Sequence, residues 1–161
     1  MKKLTEKRLY HAALAYVAKF SASSGMVRDV LNRKVFRARR AQAEIPPETP
    51  AWIDKIVASF VQAGYVDDGA YAAVLVGRLS GQGKSAYFIR QKLMRAHLSA
   101  EEAEDALGRD AATDVQRARM FAAKKKLKRT PQDLAKLARA GFSYETAREA
   151  LGGADETEGE A

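Results

Sequence analysis

Residues 93–107 read LMRAHLSAEEAEDAL and residues 137–151 read LARAGFSYETAREAL. Set side by side at an offset of 44, they agree at eight of fifteen positions: Leu93/Leu137, Arg95/Arg139, Ala96/Ala140, Ser99/Ser143, Glu101/Glu145, Ala103/Ala147, Ala106/Ala150 and Leu107/Leu151. Each copy is a helix end, a short turn, a serine and a new helix. In the first copy Ser99 and Glu102 form a capping box, the hydroxyl accepting the N–H three residues on while the carboxylate reaches back. Alanine supplies part of the agreement, but the matched Leu, Arg, Ser and final Leu fall where a helix pair needs them. A unit of this size cannot bury its own apolar face, so a helix pair recurring at fixed spacing implies neighbours that stack.

The beginning of the chain joins this pattern more weakly. Val27-Arg28-Asp29-Val30-Leu31 resembles Ile89-Arg90-Gln91-Lys92-Leu93, and Leu-x-Arg recurs at Leu31/Arg33, Leu93/Arg95 and Leu137/Arg139. Lys19-Phe20-Ser21 and Arg78-Leu79-Ser80 both close the helix before. Apolar residues recur at helical spacing throughout: Leu9, Ala12, Ala13, Tyr16 and Phe20; Val27, Val30 and Leu31; Ile53, Ile56, Val57 and Phe60; Tyr71, Val74, Leu75 and Leu79; Ile89, Leu93 and Ala96. Thr49-Pro50 and Thr130-Pro131 each place a capping hydroxyl before a proline at the first helical position. Gly64 and Gly141 stand where helices should stop. No strand-like alternation competes. The expected fold is all-α, with three tandem three-helix repeats in an elongated, curved array. The repeats span 1–65, with a Pro-containing insertion at 36–50, then 66–108 and 109–151. An acidic tail at 152–161 is expected to be disordered.

Composition removes whole classes of chemistry. The chain has no cysteine, which excludes disulfide scaffolds, Cys-ligated zinc, iron–sulfur clusters and thiol nucleophiles. Its two histidines, His11 and His97, stand far apart with no metal-binding spacing around them. No metal site, cofactor or catalytic residue is expected, and the protein reads as a non-enzyme. The longest apolar run, Ala70–Val76, is far short of a bilayer span, so the chain is expected to be cytoplasmic and free of membrane.

Two motifs invite chemical readings. Gly77 to Ser85, GRLSGQGKS, approaches a phosphate loop, but GxxxxGK[ST] wraps phosphate only at that loop length. Here Gly77 falls one residue too early, and no strand ending in Asp follows to hold magnesium. A helix–helix turn with an exposed Lys84 accounts for it, and a nucleotide-dependent enzyme would need Lys84 to bind nucleotide. Asp67-Asp68 precede a helix near Gly69, where one of them serves as cap and dipole partner. His11 on a helix is read as a structural or solvated residue, and Trp52 after Thr49-Pro50 as a packing anchor.

The charge is less easily explained away. Lys and Arg outnumber Asp and Glu by 28 to 20, and the last ten residues hold four of those acids. Residues 1–40 carry eleven bases against two acids. Residues 69–100 carry Arg78, Lys84, Arg90, Lys92 and Arg95 with no acid. Residues 117–129 carry Arg117, Arg119, Lys124, Lys125, Lys126, Lys128 and Arg129, again with none. A solvated face normally mixes both signs. A phosphate backbone or an acidic protein groove would answer such a surface, with Phe36, Tyr87, Phe88 and Phe121 as candidate stacking residues.

Ala13-Leu14-x-Tyr16…Ser21…Val27-Arg28-x-x-Leu31, then Gly64-Tyr65-Val66-Asp67-Asp68-x-x-Tyr71-Ala72, then Gly81-x-Gly83…Ile89-Arg90-x-x-Leu93, resembles the RecX regulatory proteins of bacteria. The similarity covers residues 9–107 well and the third repeat more loosely. It departs at His97, where a helix-ending Gly would be expected. The resemblance implies a protein of tandem three-helix repeats, expected to be a monomer, that binds the RecA recombinase filament. It would modulate, in the inhibitory direction, the filament's ATPase, co-protease and strand-exchange activities, with single- and double-stranded DNA as secondary partners. It points to Arg28, Arg78, Lys84, Arg90, Arg95, Lys124, Lys125, Lys126, Lys128 and Arg129 as contacts. Gly64, Tyr65, Asp67, Asp68 and Tyr71 would be structural signature residues. The alternative is an autonomous DNA-binding helical protein that competes for DNA.

Overall fold

The computed structural model describes residues 2–152, and the acidic run from 153 onward lies outside them. The described residues form nine helices: α1 (Glu6–Lys19), α2 (Ser24–Arg40), α3 (Thr49–Gln62), α4 (Asp68–Gly81), α5 (Ala86–Arg95), α6 (Ala100–Gly108), α7 (Asp114–Lys125), α8 (Pro131–Arg139) and α9 (Tyr144–Gly152). No helix among them is long and apolar enough to cross a membrane. The chain divides into two compact units, one holding the residues up to Tyr71 with Ala96–Leu98, the other residues 72–95 and 99 onward.

In the first unit the spaced apolar residues close on one another. Leu9 and Ala13 of α1, Val27 and Leu31 of α2, and Ile53, Ile56, Val57 and Phe60 of α3 are all buried. Burying a side chain the size of Phe60 contributes roughly 2–3 kcal/mol, and Tyr10 and Tyr65 meet its ring edge-on at 5.5 and 5.4 Å. Trp52 packs half-buried against the same core. The helix α2 runs on through Arg40, into the stretch 36–50. The loop beyond it is held to the N-terminus by Leu4 N–H to Glu44 O at 3.0 Å and Glu44 N–H to Lys2 O at 3.1 Å. Thr49 is not a cap: α3 starts on it, and its buried hydroxyl donates to Pro46 O at 2.6 Å. The Thr49 N–H donates to the same carbonyl at 3.1 Å, so backbone and side chain together close the Pro46-Pro47 turn.

In the second unit α4 buries Ala72, Leu75, Val76 and Leu79, whereas Val74 is 68% exposed. The apolar positions of this helix fit two registers that share Leu75 and Leu79. Of the face read from spacing, Leu75 and Leu79 are buried, Tyr71 is half-buried and Val74 faces solvent. Ser99 and Glu102 make the capping box expected of them, and Thr130 accepts Asp133 N–H at 3.2 Å ahead of Pro131. Gly64 and Gly141 take the left-handed conformation, φ +78° and +97°.

The same joining device occurs once in each unit. At the start of α2, buried Ser23 accepts Met26 N–H and donates its hydroxyl to Ala96 O, while the Asp68 carboxylate takes Ser24 N–H at 2.7 Å and its hydroxyl at 2.6 Å. At the start of α5, buried Ser85 accepts Phe88 N–H and donates to Ala140 O at 2.8 Å, while Asp114 takes Ala86 N–H at 2.9 Å. In both, a serine inside the cap satisfies the last carbonyl of a distant helix end, and an aspartate from the start of another helix satisfies an orphan N–H.

Candidate functional site

The cations named from the sequence separate into those that hold the fold and those that face solvent. Arg28 of α2 reaches Asp54 of α3 at 2.5 Å, and Arg90, at the matching place on α5, pairs with Glu104 of α6. The bond to Glu104 raises the Arg90 guanidinium against the opposing effect of burial, and the same bond lowers Glu104. Both arginines therefore tie one helix to the next. Arg117 leaves the surface altogether. It is 4% exposed and binds Asp110 at 2.8 Å, Asp114 at 3.0 Å and the Ser80 hydroxyl at 3.0 Å. Burial works to raise the Asp110 carboxyl, but the Ser80 hydroxyl and the Arg117 guanidinium outweigh it and hold the carboxyl below its ordinary range.

Arg78, Arg95, Lys124, Lys126 and Lys128 are exposed and enter no ion pair among the described residues. Lys124 and Lys125 occupy the last turn of α7 with Lys126 as its left-handed cap at φ +53°, where positive charge complements the helix dipole. Beyond it, Lys128 donates its backbone N–H to Asp133, which with Lys136 and Thr130 lowers that carboxyl despite the opposing effect of desolvation. Arg129 packs its guanidinium against Gly152, where a Cβ would stand 2.9 Å from Cζ. Arg28 belongs to the first unit and the remaining named cations to the second.

In the second unit the fold also gathers what the sequence scatters. A cleft of about 200 Å³ is lined by Gly83, Lys84, Tyr87, Phe88, Phe121 and Arg139, with Ala140, and by no acid. Lys84 and Lys92 lie over the Phe88 ring at 4.9 and 5.4 Å, and Lys125 lies over Phe121 at 5.4 Å. Such cation–ring pairs hold the ammonium groups in place without neutralising them. Gly83 makes the cleft possible: at φ +78° a Cβ would sit 2.8 Å from Phe121 N, so only glycine brings this turn against α7. The segment that approached a phosphate loop is thus a packed corner. Arg139 was missed from sequence, although its match with Arg95 in the repeat marked it. Among the described residues no group of three or more His, Asp or Glu could hold a metal ion.

The signature residues lie at helix ends and beside the core of the first unit. Gly64 ends α3, Tyr65 lies on Phe60, Asp67 caps α4 by accepting Ala70 N–H at 3.0 Å, and Asp68 caps α2. Both aspartates are therefore caps, each of a different helix.

No family model matches the chain. It is similar to solved structures described as regulatory protein RecX (TM-score 0.66, 19% identity, 90% of this chain and 70% of that one) and RecX from Lactobacillus salivarius (TM-score 0.66, 20% identity, 90% and 93%). At these identities they show the shared helical fold. A curated relative, Regulatory protein RecX of Myxococcus xanthus (strain DK1622), is 32% identical over 165 aligned residues, covering 93% of this chain and 87% of that protein. With that identity spread over nearly the whole of both chains, on a fold shared with solved RecX structures, the chain belongs to the RecX family of regulatory proteins.

Proposed function

We propose that this protein acts in the cytoplasm, as a monomer, by binding the RecA recombinase filament and restraining its ATPase, co-protease and strand-exchange activities. Membership of the RecX family carries this reading. The nine helices would serve as three repeats, 1–65, 66–108 and 109–151, and the recurrence of the Ser–Asp joining device at the starts of α2 and α5 supports that division. The acid-free cleft at Lys84 and Arg139, with Arg78, Arg95, Lys124, Lys126 and Lys128, supplies positive contacts for an acidic groove or a phosphate backbone. Arg28 and Arg90 act first as ties between helices and reach a partner only if those ties open. Binding one filament state in preference to another shifts its population, by about 2.7 kcal/mol when free protein stands at a hundred times its dissociation constant. No bond need be made or broken.

The test is the rate of ATP hydrolysis by a RecA recombinase on single-stranded DNA with this protein titrated in. A fall at ratios well below one protein per recombinase supports action on the filament. A fall only when the protein is abundant enough to coat the DNA supports the competing reading, in which a basic helical protein competes for DNA. No effect overturns the regulatory reading for that partner.

A further inference from the structure

The exposed cations of the second unit crowd at one turn. Five of the six residues from Lys124 to Arg129 are Lys or Arg. All five are exposed, and Lys124, Lys125, Lys126 and Lys128 enter no ion pair among the described residues. The dipole of α7 accounts for Lys124 and Lys125 in its last turn, but that effect falls off beyond the turn and leaves Lys128 and Arg129 without a reason. Lys126 holds a left-handed cap, φ +53°, where glycine is the usual residue. Like charges so closely spaced repel one another, so the turn is suited to several negative charges in a row. Helix α9 brings such a row to it. The helix ends at Gly152 against Arg129, where a Cβ on the glycine would stand 2.9 Å from the Arg129 Cζ and Nε. The residues that follow hold Asp155, Glu156, Glu158 and Glu160 and no base. A chain advances at most about 3.6 Å per residue, so Asp155 stands within roughly 11 Å of Gly152 and Glu160 within roughly 29 Å. By the same measure Lys126 is no more than roughly 11 Å from Arg129. Four acids spread over six residues thus leave the helix beside five cations spread over six.

We propose that Asp155, Glu156, Glu158 and Glu160 fold back onto the Lys124–Arg129 turn of the same chain and compete there with an outside polyanion. A tether of a few residues holds the acids at an effective concentration on the order of millimolar, at which weak exposed ion pairs form repeatedly and break readily. The turn is then a contact surface that the protein itself keeps partly closed. Salt screens such pairs, and a partner of denser charge displaces the acidic run. The inference rests on the reading above only in taking this turn as a partner-contacting surface, and its test contains neither recombinase nor DNA.

The test follows lysine acetylation by mass spectrometry in the full chain and in D155N/E156Q/E158Q/E160Q. A turn closed two-thirds of the time reacts, and binds an outside polyanion, about threefold less. Lys124, Lys125, Lys126 and Lys128 should therefore acetylate about threefold faster in the neutralised variant at low salt, while Lys7 and Lys34 of the first unit keep their rates. Salt near about 1 M should erase the difference. Equal rates with and without the acids overturn the contact. Protection that rises with protein concentration places the acids on a second copy and overturns the fold-back. Fluorescent heparin then tests the competition, in the same two proteins and in each with K126Q/K128Q added. Neutralising the acids should tighten heparin binding about threefold, and distinctly less where the two lysines are gone. Additive effects overturn the competition, since charges that act independently add. The two lysines are exposed, and unchanged helical circular dichroism shows that the fold is kept. Failure here leaves the recombinase titration untouched, and failure there leaves this fold-back in place.

Discussion

The two joining devices, at Ser23 in the first unit and Ser85 in the second, use the same polar atoms but opposite volumes. At Ser23 the residue two positions on is Gly25, and a Cβ there would come within 2.3 Å of the Cβ of His97. At Ser85 the residue two positions on is Tyr87, and it faces Gly141, where a Cβ would stand 3.3 Å from the Tyr87 Cβ and 2.6 Å from the Ser85 hydroxyl. Small meets large in each, with the sides exchanged. His97 therefore sits at φ +64°, a conformation costly for a residue with a side chain, because Gly25 gives it room and Asp29 holds its ring at 2.5 Å. The second device carries an addition that the first lacks: Arg117 clamps Asp114 and Asp110, while the residue three on from Asp68 is Tyr71. A repeated architecture thus keeps its hydrogen bonds and varies its packing, which makes each seam specific to its own partners.

The largest way to break this comparison is at Arg117. Arg117→Leu should cost about 3 kcal/mol in urea unfolding, because the half-buried Asp110 carboxylate loses its partner and the buried Ser80 hydroxyl loses a donor. A loss under ~1 kcal/mol would mean that the addition is ornamental. Next is the exchange of volumes. Gly25→Tyr should cost about 1–3 kcal/mol by overpacking against His97. Adding His97→Gly to it should recover most of that loss, since residues in contact couple by about 0.5–3 kcal/mol. Additive costs would show that the two seams do not share one design.

Acid sharpens the difference further. The Asp110 carboxyl is lowered in the folded chain, so the unfolded chain takes up its proton at higher pH. The stabilisation is complete above the ordinary aspartate range and is lost as pH falls through the folded value. Stability measured from pH 7 down to pH 3 should therefore decline less steeply in Asp110→Asn than in the parent. Smallest of all are the exposed ties: Arg28→Ala and Arg90→Ala should each cost less than about 1 kcal/mol and about the same as each other.

How much of this was legible in the sequence follows from what each signal encodes. The helices, the Ser99 box, the Thr130 cap and the stops at Gly64 and Gly141 were readable because each depends on residues a few positions apart. The joining devices were not. Ser23 to Ala96 and Ser85 to Ala140 are long-range bonds, and a serine before a helix reads only as a local cap. His97 was noticed as a departure from glycine, but its reason lies at Gly25, 72 positions away. Charge counting found the basic stretches and misassigned Arg117, since a count cannot tell a buried guanidinium from an exposed one. It also grouped Lys2, Arg8, Arg33 and Arg37 by position in the chain, while their convergence on one hollow needed the turn of two helices.

The central claim is that the protein recognises the filament itself and not merely its DNA. The most direct measurement is co-sedimentation of the protein, over a concentration series, with recombinase filaments assembled on single-stranded DNA, beside the same DNA without recombinase. The account predicts pelleting with the filaments at concentrations where bare DNA brings down far less. Equal pelleting with filaments and with bare DNA would contradict it.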